Sequence, residues 1–197
     1  GMRVFRVKLP YVEPFKIALG TSTFSENVVV ELLTDWGDVG YGEGCPSRRI
    51  MGENIDMAIA VILERGKEVV GSCPMEFRRL EEKLSSWRVQ SAKAAVEMAV
   101  LDLVGKLAKK PLFKLLGGYR DCVETDVTIG IDSPEKVGEK AVKWRERGFK
   151  ILKIKLGTDP EEDKERLRAV RDALGYDVSI RVDANQGWSF KQAKKMI

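Results

Sequence analysis

The chain has 197 residues, of which 44% are hydrophobic and 32% charged. That suits one globular domain or two small ones and excludes disorder, collagen-like repeats and any run near the ~20 apolar residues of a membrane span. The 34 basic residues exceed the 30 acidic ones by only four, too mild and too interleaved a surplus to argue for nucleic acid. There is no histidine, so a Ser-His-Asp triad and a His-ligated zinc site are excluded within this chain, and a general base must be Lys, Asp, Glu, Tyr or Cys. Cys45, Cys73 and Cys122 are odd in number and far apart. They form no metal-ligand cluster and suggest a reducing, cytoplasmic setting. Met2 leads into an amphipathic start rather than a leader, and Gly1 reads as a residue left from expression.

In chain order, Arg3 to Leu9 is predicted as a strand, and Pro10 to Asn27 as a long loop. Val28 to Thr34 is a stronger strand, rich in β-branched residues, joined through Asp35-Trp36-Gly37-Asp38 to Val39–Gly44 in an antiparallel hairpin. The period then becomes helical over Glu53–Val70, with Gly66 as an interruption, over Met75–Leu84, and over the alanine-rich Ser91–Lys109. Pro111 opens a short further turn that Gly117-Gly118 ends. After Tyr119 the rhythm is strand (Val123–Ile131), helix (Pro134–Arg147), strand (Lys150–Gly157), helix (Pro160–Leu174), strand (Val178–Asp183) and a helix from Ser189. Such short βα connections imply parallel strands. The expected division is residues 1–120, an α+β domain, and residues 121–197, with three βα units. That is too short for a complete (β/α)8 barrel of about 250 residues.

Lys153-Ile154-Lys155 is the sharpest chemical feature. Residues i and i+2 of a strand share a face, and parallel sheets are covered on both faces. Two adjacent buried ammonium groups disfavour the protonated state, so the pair is expected to have lowered pKa values suited to a general base. An edge strand with two solvated lysines is the simpler alternative. Asp183 ends the third parallel strand, where α/β sites are built. Its carboxylate suits Mg²⁺, with Asn185 nearby, although one carboxylate does not make a cation site. Lysine and metal together suit abstraction of a proton α to a carboxylate through an enediolate, and the two features are expected to face each other across a barrel mouth. Gly40, Gly42 and Gly44 do not fit G-x-G-x-x-G and read as hairpin glycines packed close to another backbone. Trp36 and Trp188 read as turn and core residues, and Glu161–Glu165 as a solvated first helical turn.

The segments VGYGEG, SAKAAVEMAVLD, PLFKLLGGYRD, ETDVTIGIDSPE, LKIKLG and IRVDANQGW, with the loop Ile50–Glu53, resemble the enolase superfamily. Within it they resemble the muconate-lactonizing subgroup, above all its dipeptide epimerases of the L-Ala-D/L-Glu type. The resemblance implies a capping domain followed by the first three βα units of a truncated (β/α)7β TIM barrel. Capping loops around Gly20–Ser25 and Ile50–Gly52 would close over the substrate. Lys155 would be one acid/base catalyst, Lys153 and Thr128 substrate contacts, and Asp183 the first of three Mg²⁺ ligands. The substrate would be a small molecule, a dipeptide or an N-acylamino acid, with no nucleic acid or membrane partner. An N-acylamino acid racemase, o-succinylbenzoate synthase or muconate cycloisomerase shares these motifs. The remaining ligands and the opposing lysine are absent from the 197 residues, so this chain alone is expected to be inactive. A homo-oligomer, a complementing C-terminal part and an inactive fragment all stay open. Members that select an acidic dipeptide carry an arginine where Gly20 aligns, so selectivity for Glu is not implied and a neutral or hydrophobic second residue stays open.

Overall fold

The computed structural model describes residues 1–196. They fall into two compact units, one made of residues 1–10 and 24–121, the other of residues 11–23 and 122 onward. In the first three strands the sheet order is β1 (Met2–Ile17), β2 (Gly20–Leu33), β3 (Val39–Gly44). The long loop expected over Pro10–Asn27 is instead the far end of an extended β1–β2 hairpin whose turn lies at residues 18–19. Pro10 and Pro14 do not interrupt it. They lie on β1, an edge strand, where a missing N–H is tolerated.

The first unit adds α1 (Arg48–Met51), α2 (Ile55–Arg65), α3 (Phe77–Ser85), α4 (Gln90–Leu107) and α5 (Leu112–Leu115). Strands β2 and β3 pair antiparallel from Val28↔Gly44 to Leu33↔Val39. Along β3 the buried residues are Gly40, Gly42 and Gly44, while Tyr41 and Glu43 face out. A methyl group added at these glycines would overlap the carbonyl oxygens of Ala99, Ala95 and Ser91 in turn. Residues four apart on α4 therefore lie along alternate residues of β3, and only glycine permits backbones this close. Val28, Val30, Ile62, Leu84, Trp87 and Val96 complete the core.

Helix α4 begins without a side-chain cap from its own preceding residue, Val89. Glu53 caps it from afar. Its carboxylate accepts the backbone N–H groups of Gln90 (2.6 Å) and Ser91 (3.0 Å) and the Ser91 hydroxyl (2.6 Å). These are the orphan donors of a helix N-terminus, where negative charge is also favoured by the dipole. Burial works to raise the Glu53 pKa, but the bonds from Ser91 and Gln90 outweigh it and hold the carboxyl below its usual value.

In the second unit, β4 (Val127–Ile129), β5 (Ile151–Lys155) and β6 (Ser179–Asp183) form a parallel sheet in that order. They alternate with α6 (Pro134–Glu146), α7 (Pro160–Leu174) and α8 (Phe190–Met196). Ser133 caps α6 and Asp159 caps α7, each with proline in the first turn. Leu152 and Ile154 are fully buried and cluster with Val137, Ala141 and Val170 of the two helices. No helix among the described residues is long and apolar enough to cross a membrane.

Replacing Glu53 by glutamine removes the charge but keeps the size. It is expected to lower unfolding free energy at pH 7 by about 2 kcal/mol, the scale of charged hydrogen bonds lost to buried donors. Because the folded-state pKa is depressed, this contribution is present above the unfolded carboxyl value and fades as pH falls through the folded one. Urea denaturation of both proteins across acid pH should show the gap closing.

Candidate active site

The parallel register sets Thr128, Lys153 and Arg181 side by side across the three strands, and Lys155 opposite Asp183 one row further along. Alternation along β5 sends Leu152 and Ile154 into the helix-covered core and both lysines to the other face. β5 is the central strand, so the edge-strand alternative is excluded. Lys155 is 8% exposed, whereas the Lys153 side chain keeps 33% of its surface.

One carboxylate oxygen joins them. Asp183 Oδ2 accepts from Lys155 Nζ at 2.8 Å and lies 2.9 Å from Lys153 Nζ. Its other oxygen accepts the Asn185 N–H at 2.9 Å. A second pair joins Arg181 of β6 to Asp126, the residue before β4, at 2.8 Å. The expected placement of lysine and carboxylate across a barrel mouth is therefore corrected, since they are neighbours on adjacent strands in direct ion contact. The hydrogen bonds from Lys155 and then Lys153 hold the Asp183 carboxyl far below the usual aspartate value, against the opposing effect of burial. The expected lowering of the lysine pKa values is corrected for Lys153. Its hydrogen bond to Asp183 outweighs desolvation and raises its pKa. The sequence argument counted repulsion between two ammonium groups but not the anion seated between them.

Asn185 and Gln186 both adopt positive φ (45° and 64°) in the turn after β6, a conformation uncommon outside glycine. Asn185 Oδ1 is buried and accepts no hydrogen bond. A hard divalent cation takes six or so oxygens. Among the described residues no three Asp, Glu, Cys or His side chains are grouped to hold one. Asp183 Oδ2 serves two ammonium groups, and Asn185 Oδ1 is the one orphaned acceptor beside it. These residues alone do not compose a cation site.

Sequence reasoning missed Asp163 and Arg166. The acidic run at the start of α7 is not wholly solvated, for Asp163 is fully buried and Arg166 is 4% exposed. The available signal was helical spacing. Asp163, Arg166 and Val170 lie at i, i+3 and i+7, one inward stripe. Trp188 packs against the second core as expected, and its indole N–H also donates to Asp163.

Residues 1–117 match the N-terminal domain of mandelate racemase and muconate lactonizing enzyme, and residues 136–197 match the enolase C-terminal domain-like family. The chain belongs to the enolase superfamily. It is 42% identical over 199 residues to a hydrophobic dipeptide epimerase of Enterococcus faecalis, covering all of this chain and 55% of that protein. It is 41% identical to an L-Ala-D/L-Glu epimerase of Clostridium acetobutylicum, covering 95% of this chain and 53% of the relative. The crystal structure of the Enterococcus faecalis enzyme with Mg and the dipeptide L-Leu-L-Tyr superposes with a TM-score of 0.96 at 41% identity, covering 100% of this chain and 56% of that one. The enolase-superfamily chain thus spans about half the length of these relatives. It consists of a capping domain and a partial barrel with three parallel strands.

Changing Asp183 to asparagine leaves Lys155 without its anion. At pH 7 a loss of about 2 kcal/mol is expected, between the values for exposed and fully buried pairs, because the Asp183 side chain keeps 30% of its surface. Urea denaturation measures it. Since the folded Asp183 pKa is depressed, the difference should persist above the unfolded carboxyl value and vanish only in strong acid.

Proposed function

We propose that this chain supplies the capping domain and the first part of the active site of a Mg²⁺-dependent dipeptide epimerase. The reaction is removal and return of the proton α to a carboxylate. The cluster of Lys155, Asp183 and Lys153 at the C-terminal ends of parallel strands supports this reading most directly. Sites in such sheets are built there. Lys155 is the acid/base group, a nearly buried amine held in a fixed place by Asp183. Lys153, more exposed and one row behind, offers positive charge to the substrate carboxylate, and Thr128 stands in register beside it. Asp183 would contribute one ligand to Mg²⁺, with water, substrate and side chains of the relatives' C-terminal part supplying the other oxygens. The base for the opposite face of the α-carbon has to come from that part too, and without it epimerisation stops after one proton transfer.

A hydrophobic dipeptide is the substrate we favour. By the family resemblance, Gly20 aligns where acidic-dipeptide enzymes carry an arginine. Its φ of 129° is one that a side-chain-bearing residue rarely adopts. The 42% identical relative is itself named for hydrophobic dipeptides.

Residues 1–197 joined to the C-terminal part of the Enterococcus faecalis relative should exchange the α-proton of Leu-Tyr in D₂O with Mg²⁺ present, and should exchange Ala-Glu more slowly. Lys155→Ala should cut the rate by about 10³-fold, within the range for a positioned acid/base group. Residues 1–197 alone should not invert the α-carbon of either dipeptide. Exchange of N-succinylamino acids but not dipeptides would overturn the substrate, and Mg²⁺-dependent inversion at the α-carbon by residues 1–197 alone would overturn the need for a second base.

A further inference from the structure

The buried pair of Asp163 and Arg166 takes no part in the proton transfer, yet its polar atoms reach the loops after all three parallel strands. Asp163 Oδ1 accepts from the Arg166 guanidinium at 2.7 Å. Asp163 Oδ2 accepts the Gly157 N–H, after β5, and the Trp188 indole N–H, after β6, both at 2.8 Å. Arg166 Nε donates to the Asp132 carbonyl, after β4, at 2.7 Å. Its other nitrogens reach Thr158, after β5, and Glu162.

We propose that Asp163 and Arg166 form a loop clamp, a pair of positioning residues in α7 that fixes the segments following β4, β5 and β6 and thereby keeps Lys155 and Asp183 in hydrogen-bond contact. An ion pair this deeply buried is a poor device for stability, because apolar residues of similar volume often serve as well. What apolar residues cannot do is hold N–H and carbonyl groups from three loops at fixed points. The connection to the site is short. Gly157 lies two residues after Lys155, and Trp188 five after Asp183. Between clamp and site the backbones are closed on each other. Leu156 N donates to the Asp183 carbonyl (3.0 Å) and Gly187 N to the Ala184 carbonyl (2.8 Å). A methyl group at Gly157 would overlap the Ala184 carbonyl oxygen, and one at Gly187 would overlap that of Gly157. Movement of the clamped loops is therefore passed to the ends of β5 and β6.

The catalytic consequence rests on the proposed function, but the clamp is tested without substrate. The double variant Asp163→Leu, Arg166→Met replaces the pair with apolar side chains. Acylation of single lysines by acetic anhydride, read by mass spectrometry, reports access to Lys155, with exposed Lys143 as the standard. The clamp predicts that the folded double variant acylates Lys155 roughly tenfold faster relative to Lys143, through local opening. It also predicts faster hydrogen exchange at the Trp188 indole. A folded double variant with both rates at the wild-type level would overturn it. Should the double variant not fold, Arg166→Lys retains the charge but not the fork that reaches several loops at once. A rise in Lys155 acylation then supports the clamp, and an unchanged rate overturns it. Failure of the joined protein with the wild-type pair to exchange dipeptides, with the acylation and exchange rates altered in the variants, would sink the epimerase reading and leave the clamp standing.

Discussion

A single carboxylate oxygen between two ammonium groups is the interaction on which the second unit's chemistry depends. Placing Lys155 at 8% exposure would be costly for an unpaired charge, and a second lysine on the same face adds repulsion. Asp183 offsets both, because parallel pairing of β5 with β6 sets it opposite Lys155 and within reach of Lys153. The cluster keeps one net positive charge, from two cations and one anion. That charge attracts anionic groups. The same alternation that gathers the lysines sends Leu152 and Ile154 into the core. Strand stability and site chemistry thus come from one stretch of five residues.

Close backbone approach is a second theme, and it recurs in both units. In the first, three glycines of β3 seat that strand on the small-residue face of α4, and Glu53 satisfies the N-terminus of the helix. In the second, Gly157 and Gly187 bring the loops after β5 and β6 together beside the buried pair in α7. Glycine supplies proximity, and a buried acid then satisfies the N–H groups that proximity leaves without water.

Much of this was legible in the residues. Helical and strand periodicity in the second half gave the βαβαβα order, and the K-x-K spacing gave two lysines on one face. The alternate glycines of VGYGEG correctly implied backbone contact. The hairpin over residues 11–23 was hidden because its pairing joins residues on the two sides of the turn and leaves little buried alternation to read, while its prolines fit only because β1 is an edge strand. The ion contacts of Asp183 were hidden because strand register is a tertiary fact, so two like charges were weighed without their counter-ion. Asp163 was hidden among acidic neighbours that are solvated, and composition does not say which member of a charge run lies on the inward stripe.

The central claim is most directly tested by titrating the Asp183 side-chain carboxyl carbon with ¹³C NMR in the isolated chain without added metal. The account predicts that it keeps its ionised chemical shift through the region near pH 3.9 where an ordinary aspartate takes up its proton, and that Lys153→Met brings its midpoint upward. An Asp183 that titrates like the solvent-exposed aspartates would contradict the shared ion contact, and with it the support for the acid/base role proposed for Lys155.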